Sequence, residues 1–222
     1  MLFILQVNHV FSQDKTITVS FKPVFGKSSF VLNDSTYQLT NGHSISFEEL
    51  KFYTSGFQLF QNDSLVYAEQ NSFHLYDASA VTRQNILLDI PADLSFNKLC
   101  FNVGIDSITS VSGAMGGDLD PTKGMYWVWQ SGYINIKLEG RSDLCKNPGK
   151  EFRFHLGGYM HPFNALTTVV LQPLLTHHIQ LKLDVKAFID AMGFSEKDHV
   201  MSPDAYAVKL SVLFSKCFEI SQ

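Results

Sequence analysis

The chain has 222 residues, 45% of them hydrophobic and 17% charged, with a formal charge of −4. That balance is globular rather than disordered. Lys and Arg are scattered, without a stripe or arm, which excludes nucleic-acid binding by phosphate neutralisation. No run of eighteen apolar residues occurs, so no membrane-spanning helix is predicted.

Residues 1–13 open on an apolar run, Met1-Leu2-Phe3-Ile4-Leu5, that ends at Phe11-Ser12-Gln13. They read as the tail of a secretory signal peptide without its basic start, with a plain N-terminal strand as the alternative. Residues 16–21 alternate, Ile17, Val19 and Phe21 against Thr16, Thr18 and Ser20, which predicts a half-buried strand. After turns at Asn33-Asp34-Ser35 and Asn41-Gly42, residues 45–60 are rich in Phe and Tyr and predict one or two strands. Asn62-Asp63-Ser64 is a turn, and residues 65–67 and 73–76 predict a hairpin. Residues 85–90 and 98–105 are further strands, the second with Leu99, Phe101, Val103 and Ile105 on one face. Residues 106–123 then predict a long loop, punctuated by Gly113, Gly116, Gly117 and Pro121.

Residues 125–129 and 133–139 predict paired strands about Gln130-Ser131-Gly132, and Met125, Trp127 and Trp129 are expected to form one core-facing wall. After a turn at residues 146–150 come strands at 151–156, 167–171 and 178–185. Residues 185–192 have helical spacing with Gly193 as a stop. Ser202-Pro203-Asp204 resembles a helix start, but Tyr206, Val208, Leu210, Val212 and Phe214 alternate. The expectation there is a helical turn followed by a last strand. Ten or so strands without a βαβ rhythm or a repeat predict an all-β antiparallel sandwich over residues 14–222, with one or two short helical segments near the C-terminus.

Residues 116–140 read GGDLDPTKGMYWVWQSGYINIKLEG. This succession of L-D-P, G-M-Y-W-x-W, G-Y and K-x-E-G resembles the MbnP-like family. Leu50-Lys51-Phe52-Tyr53, His74-Leu75-Tyr76-Asp77, the stretch from Phe101 to Asp106, and Phe154-His155-Leu156-Gly157-Gly158 are similar to its other landmarks, in order over residues 17–185. The resemblance implies a β-sandwich exported from bacterial cells, periplasmic or extracellular, and a link to copper. Better-known members bind copper through histidines, and some convert a tryptophan to kynurenine with a partner dihaem enzyme of peroxidase type. This chain departs from that pattern. The stretch just upstream of Leu75, residues 69–74, holds no Trp, and Ile105 leads into Asp106-Ser107 where the family has Asn-His.

Copper needs imidazole or thioether donors that converge. His155 matches the H-L-G landmark, and its alternation with Phe152 and Phe154 turns it away from the apolar face. His74 lies near the family's site, and His161 follows His155 by six residues with Met160 beside it. A shared metal site needs at least two of His74, His155 and His161; each also has a bland reading as a strand-end or loop residue. His177 and His178 read as a strand start. Asp106, Asp118 and Asp120 match no calcium loop, and Asp120-Pro121 reads as turn capping. Cys100, Cys145 and Cys217 allow one disulfide with one thiol left over, in a pairing that sequence does not choose. Nucleophile-elbow, zinc-protease and P-loop motifs are all missing. The leading reading is an exported, non-enzymatic binding domain with copper as its cofactor. The alternative is a metal-free interaction or glycan-binding module of the bacterial envelope.

Overall fold

The computed structural model describes residues 14–82, 84–173, 176–194 and 197–221. The expected signal segment, residues 1–13, lies outside the described residues. Two sheets face each other. In the smaller, β1 (Asp14–Phe25) runs parallel to β13 (His178–Asp184) on one edge. Its other edge pairs with β7 (Asn85–Pro91) and β2 (Ser28–Ser29), and β15 (Phe218–Ile220) flanks β13. The alternation read in residues 16–21 holds, with Ile17 and Val19 buried.

The larger sheet is built on β4 (Ser44–Gln61), a single 18-residue strand. One edge of β4 carries β3 (Thr36–Gln38), β6 (Phe73–Asp77) and β5 (Ser64–Ala68) in turn. The other carries β10 (Gly132–Ser142) up to Phe52 and β8 (Lys98–Val103) from Thr54 onward. Beyond β10 lie β11 (Glu151–Gly157) and the short parallel β14 (His199–Val200); beyond β8 lies β12 (Thr167–Leu171). The fold is thus an all-β sandwich, antiparallel apart from β1 with β13 and β11 with β14. The expected hairpin of residues 65–67 and 73–76 does not form, because each segment pairs with the long strand β4 instead.

The main core fills the space between the sheets. Phe47, Leu50, Phe52, Leu59, Phe101, Phe152 and Phe154 are essentially fully buried, and such a side chain contributes about 1.5–3 kcal/mol. Helix α2 (Val185–Met192) forms as read from its spacing, capped by Asp184 and stopped by Gly193. Residues 206–214 do not form the expected strand. They form helix α3 (Ala205–Ser215), with Asp204 rather than Ser202 as its cap, accepting from the Ala207 amide at 2.6 Å. Alternation was weak evidence here because the second row, Ala207, Lys209, Ser211 and Leu213, is itself half apolar. The cap and the burial of Tyr206, Ala207, Leu210 and Phe214 at helical spacing decide the matter. Phe214 packs edge-on against Phe52, Phe188 and Phe218, joining both helices to both sheets.

Residues 106–123 are less of a loop than expected. Asp106 caps a short helix, α1 (Ser107–Val111), and Asp120 caps a single turn at Pro121–Lys123, accepting from Thr122. The capping reading of Asp120 is the one realised. Cys100, Cys145 and Cys217 are free thiols, and burial pushes Cys145 up to about 11.

Candidate functional site

The segment 116–140 builds a second, smaller core on the outer face of the larger sheet. Tyr53, Ile105, Leu119, Met125, Trp127, Tyr133 and Ile134 bury one another there. Tyr53 donates from its hydroxyl to the Asp118 carbonyl at 2.9 Å, and the Tyr133 hydroxyl accepts from the Met115 amide at 3.0 Å. Two glycines allow this core to close. A Cβ on Gly157 would sit 2.8 Å from the Trp127 ring and 2.7 Å from the Tyr133 carbonyl. One on Gly104, at φ +113°, would strike the Asn135 amide at 2.5 Å. The H-L-G and W-x-W landmarks are therefore halves of one contact.

The expected three-residue wall holds for Met125 and Trp127 but not for Trp129, which is 67% exposed. The strand β9 (Tyr126–Trp127) is only two residues long, and its pairing ends where Trp127 meets Gly132. Ser131 takes a positive φ in the turn, so alternation does not carry through to Trp129.

Four side chains stand abreast on the same outer face: Asp77, Lys51, Lys137 and His155, on β6, β4, β10 and β11. With Glu49 and Glu139 they make a chain of ion pairs. Lys51 binds Glu49 at 3.0 Å and Asp77 at 3.3 Å; Lys137 binds Glu49 at 2.9 Å; His155 Nε2 meets Glu139 at 2.6 Å. Burial pushes the Glu49 carboxyl up, but hydrogen bonds from Lys137 and Lys51 outweigh it and hold the pKa below the ordinary value. For His155 burial wins over the Glu139 hydrogen bond, and the pKa falls below 6.5. His155 is 7% exposed, so it is a tied, buried member of this row.

His74 lies elsewhere. It pairs with Thr54, three residues on from Lys51, so its side chain points to the opposite face of the sheet from His155. Three strand spacings, about 14 Å, also separate β6 from β11. His161 is exposed in the loop after β11, without a hydrogen bond among the described residues. The structure therefore sets His74 and His155 on opposite faces of the sheet, with His161 on the loop beyond β11. Among the described residues no group of three or more His, Cys, Asp or Glu gathers as a metal cage.

His74 does line a cleft of about 490 Å³, which runs along the edge strand β6. Phe21, Asn85 and Ile86 form its inner wall from the smaller sheet; Lys51, Asp77, Asp118 and Lys123 lie at its outer side. Asp118 fixes the cover, accepting from the Leu75 amide at 3.0 Å and from Lys123 at 2.6 Å. The His74 Nε2 faces both oxygens of Glu69, at 3.0 and 3.2 Å. A carboxylate only accepts, so in the neutral ring Nε2 carries the proton and Nδ1 keeps a free lone pair; this tautomer follows from partner chemistry. Thr54, fully buried beside His74, has a hydroxyl without a partner among the described residues. Sequence reasoning missed Glu69 and Thr54. Glu69 lies five residues before His74 across a turn, and only the positive φ of Asn71 and the shared partner β4 bring them together.

Two facing sheets closed by C-terminal helices, with a polar cleft along one edge strand, define a β-sandwich domain. No described helix is long and apolar enough to cross a membrane. The chain belongs to the MbnP family, whose model matches residues 14–202. It is similar in fold to a solved structure, MbnP from Methylosinus trichosporium, at a TM-score of 0.62 and 15% identity, over 87% of this chain and 82% of that one. No curated protein matches the sequence.

Proposed function

We propose that the chain is an exported, non-enzymatic binding domain that takes copper at His74. The observation that carries this is the Glu69–His74 pair, whose imidazole lines the cleft. Metal-binding histidines characteristically give their second ring N–H to a carboxylate, which fixes the ring and raises its basicity. Imidazole suits copper. The residues fit a copper held by one oriented imidazole with its other positions open, and do not fit a closed cage of protein ligands. His155 and His161 are secondary candidates, the first held by Glu139 inside the ion row and the second free on a loop. Export rests on the family resemblance. Tryptophan oxidation with a dihaem partner is left out of this reading, since residues 69–74 hold no tryptophan.

Copper stoichiometry on the purified chain tests the proposal. One equivalent bound by the parent chain and by His155→Ala, and none by His74→Ala, is the expected result. Binding that persists in His74→Ala overturns it.

A second reading is a metal-free module for a glycan or another polar ligand. It is favoured by the unpaired Thr54 hydroxyl in a cleft lined by Asn85 and Gln84, together with the lack of a three-ligand group among the described residues. Calorimetry with monosaccharides after chelator treatment separates the two, because only this reading keeps binding without metal.

A further inference from the structure

Three segments rich in exposed apolar side chains meet at one end of the sandwich: residues 107–117, the hairpin tip at 128–132, and the loop at 158–166, with Pro203 packed against Gly158 beside them. Ser107 donates to the Tyr159 carbonyl at 2.6 Å, joining the first segment to the third. The Tyr159 ring lies against Gly132, joining the third to the tip. The Tyr133 hydroxyl, next to the tip, bonds Met115 and Gly113.

None of the three segments contains a Lys, Arg, Asp or Glu, although 17% of the chain is charged. Half of the large apolar side chains described as exposed stand on them. Ile108 is 82% exposed, Val128 81%, Val111 71% and Trp129 67%, and Met160 and Phe163 stand beside them in solvent. An exposed apolar group of this size marks an interaction surface. At these exposures the side chains of Ile108, Val128, Val111 and Trp129 protrude into solvent.

We infer that this end docks the domain on a lipid surface with neutral headgroups. Protruding apolar tips with a tryptophan suit the boundary between headgroups and acyl chains, where Trp is enriched. Charge selects the lipid. The chain carries a net −4 and the three segments hold no Lys or Arg and a single histidine, His161, so an anionic surface repels the molecule while a zwitterionic one leaves apolar burial unopposed. A peripheral attachment of this kind needs no spanning helix, and it is independent of the copper reading, since His74 lies in a separate cleft.

The experiment is flotation of the whole chain with phosphatidylcholine vesicles, read alongside tryptophan fluorescence. Trp127 is buried and Trp129 exposed, so a blue shift on adding lipid reports the tip. The expected result is saturable binding to phosphatidylcholine, weaker binding when phosphatidylglycerol replaces half of it, and little dependence on salt. Ile108→Asp with Val128→Asp lowers the partition coefficient about tenfold or more. Both positions face solvent, so the variant keeps the parent circular-dichroism spectrum and melting temperature; Val170→Asp, exposed elsewhere, binds like the parent. No flotation at millimolar lipid, or equal flotation of the double variant, overturns the inference. So does dimerisation without lipid that the double variant abolishes, which assigns the end to a second copy of the chain.

Discussion

On the proposed copper reading, removing the Glu69 carboxylate is expected to weaken copper binding without removing the ligand. The two oxygens lie 3.0 and 3.2 Å from His74 Nε2. Both side chains are less than a third exposed, 28% for His74 and 15% for Glu69, so water screens the contact only in part. A hydrogen bond to a charged group contributes about 1.5–3 kcal/mol. At 1.4 kcal/mol per decade, Glu69→Ala raises the copper Kd about 10- to 100-fold, the range found for partners that orient metal-binding histidines. Glu69→Gln keeps a neutral acceptor and raises it less. Titration against a chromogenic copper chelator reads the Kd, with thermal melts alongside to confirm folding. An unchanged Kd in Glu69→Ala, or an equal loss in His155→Ala, refutes the argument that the carboxylate orients the metal-binding ring.

Three further outcomes test the framework around the site. Gly157→Ala forces a methyl against the Trp127 ring and the Tyr133 carbonyl, both buried, and destabilises the fold by about 1–3 kcal/mol in urea unfolding, with altered Trp127 emission. Asp204→Ala removes the cap of α3 and lowers stability by about 1 kcal/mol in the same assay, with copper binding unaffected. The third outcome concerns pH. His155 has its pKa held below 6.5 in the folded state, chiefly by burial. Between that lowered value and 6.5 the unfolded chain binds the extra proton, so stability is lost as pH falls through this window. His155→Gln flattens the slope there. The acid loss below it, where Glu49 and Asp77 are protonated, remains. A parent profile that is flat between pH 7 and 5 contradicts the assignment.

Much of the fold was legible because local pattern and burial coincide. The alternation of Ile17, Val19 and Phe21, the helical spacing ahead of Gly193, and the Asp120-Pro121 cap each depend on neighbours within a few residues. The site was less legible. His74 and His155 looked like partners because each sits in a family landmark, but a sheet face is set by register. Thr54 stands three residues from Lys51, which is enough to put the two histidines on opposite sides. Glu69 carried no signal, since its role depends on a turn that returns the chain to the same long strand.

The sequence alone determined that this is an all-β chain with the MbnP landmarks, because those follow from composition, period and motif order. Tertiary structure decided three things that periodicity leaves open. It turned residues 205–215 into a helix, through the Asp204 cap and the core that receives Phe214. It put Trp127 inside against Gly157 and left Trp129 outside, because strand pairing stops between them. It also gave His74 its carboxylate and His155 its place in the ion row. Pairing across strands fixes which side of a sheet a residue faces, and that information is held in the partner strand.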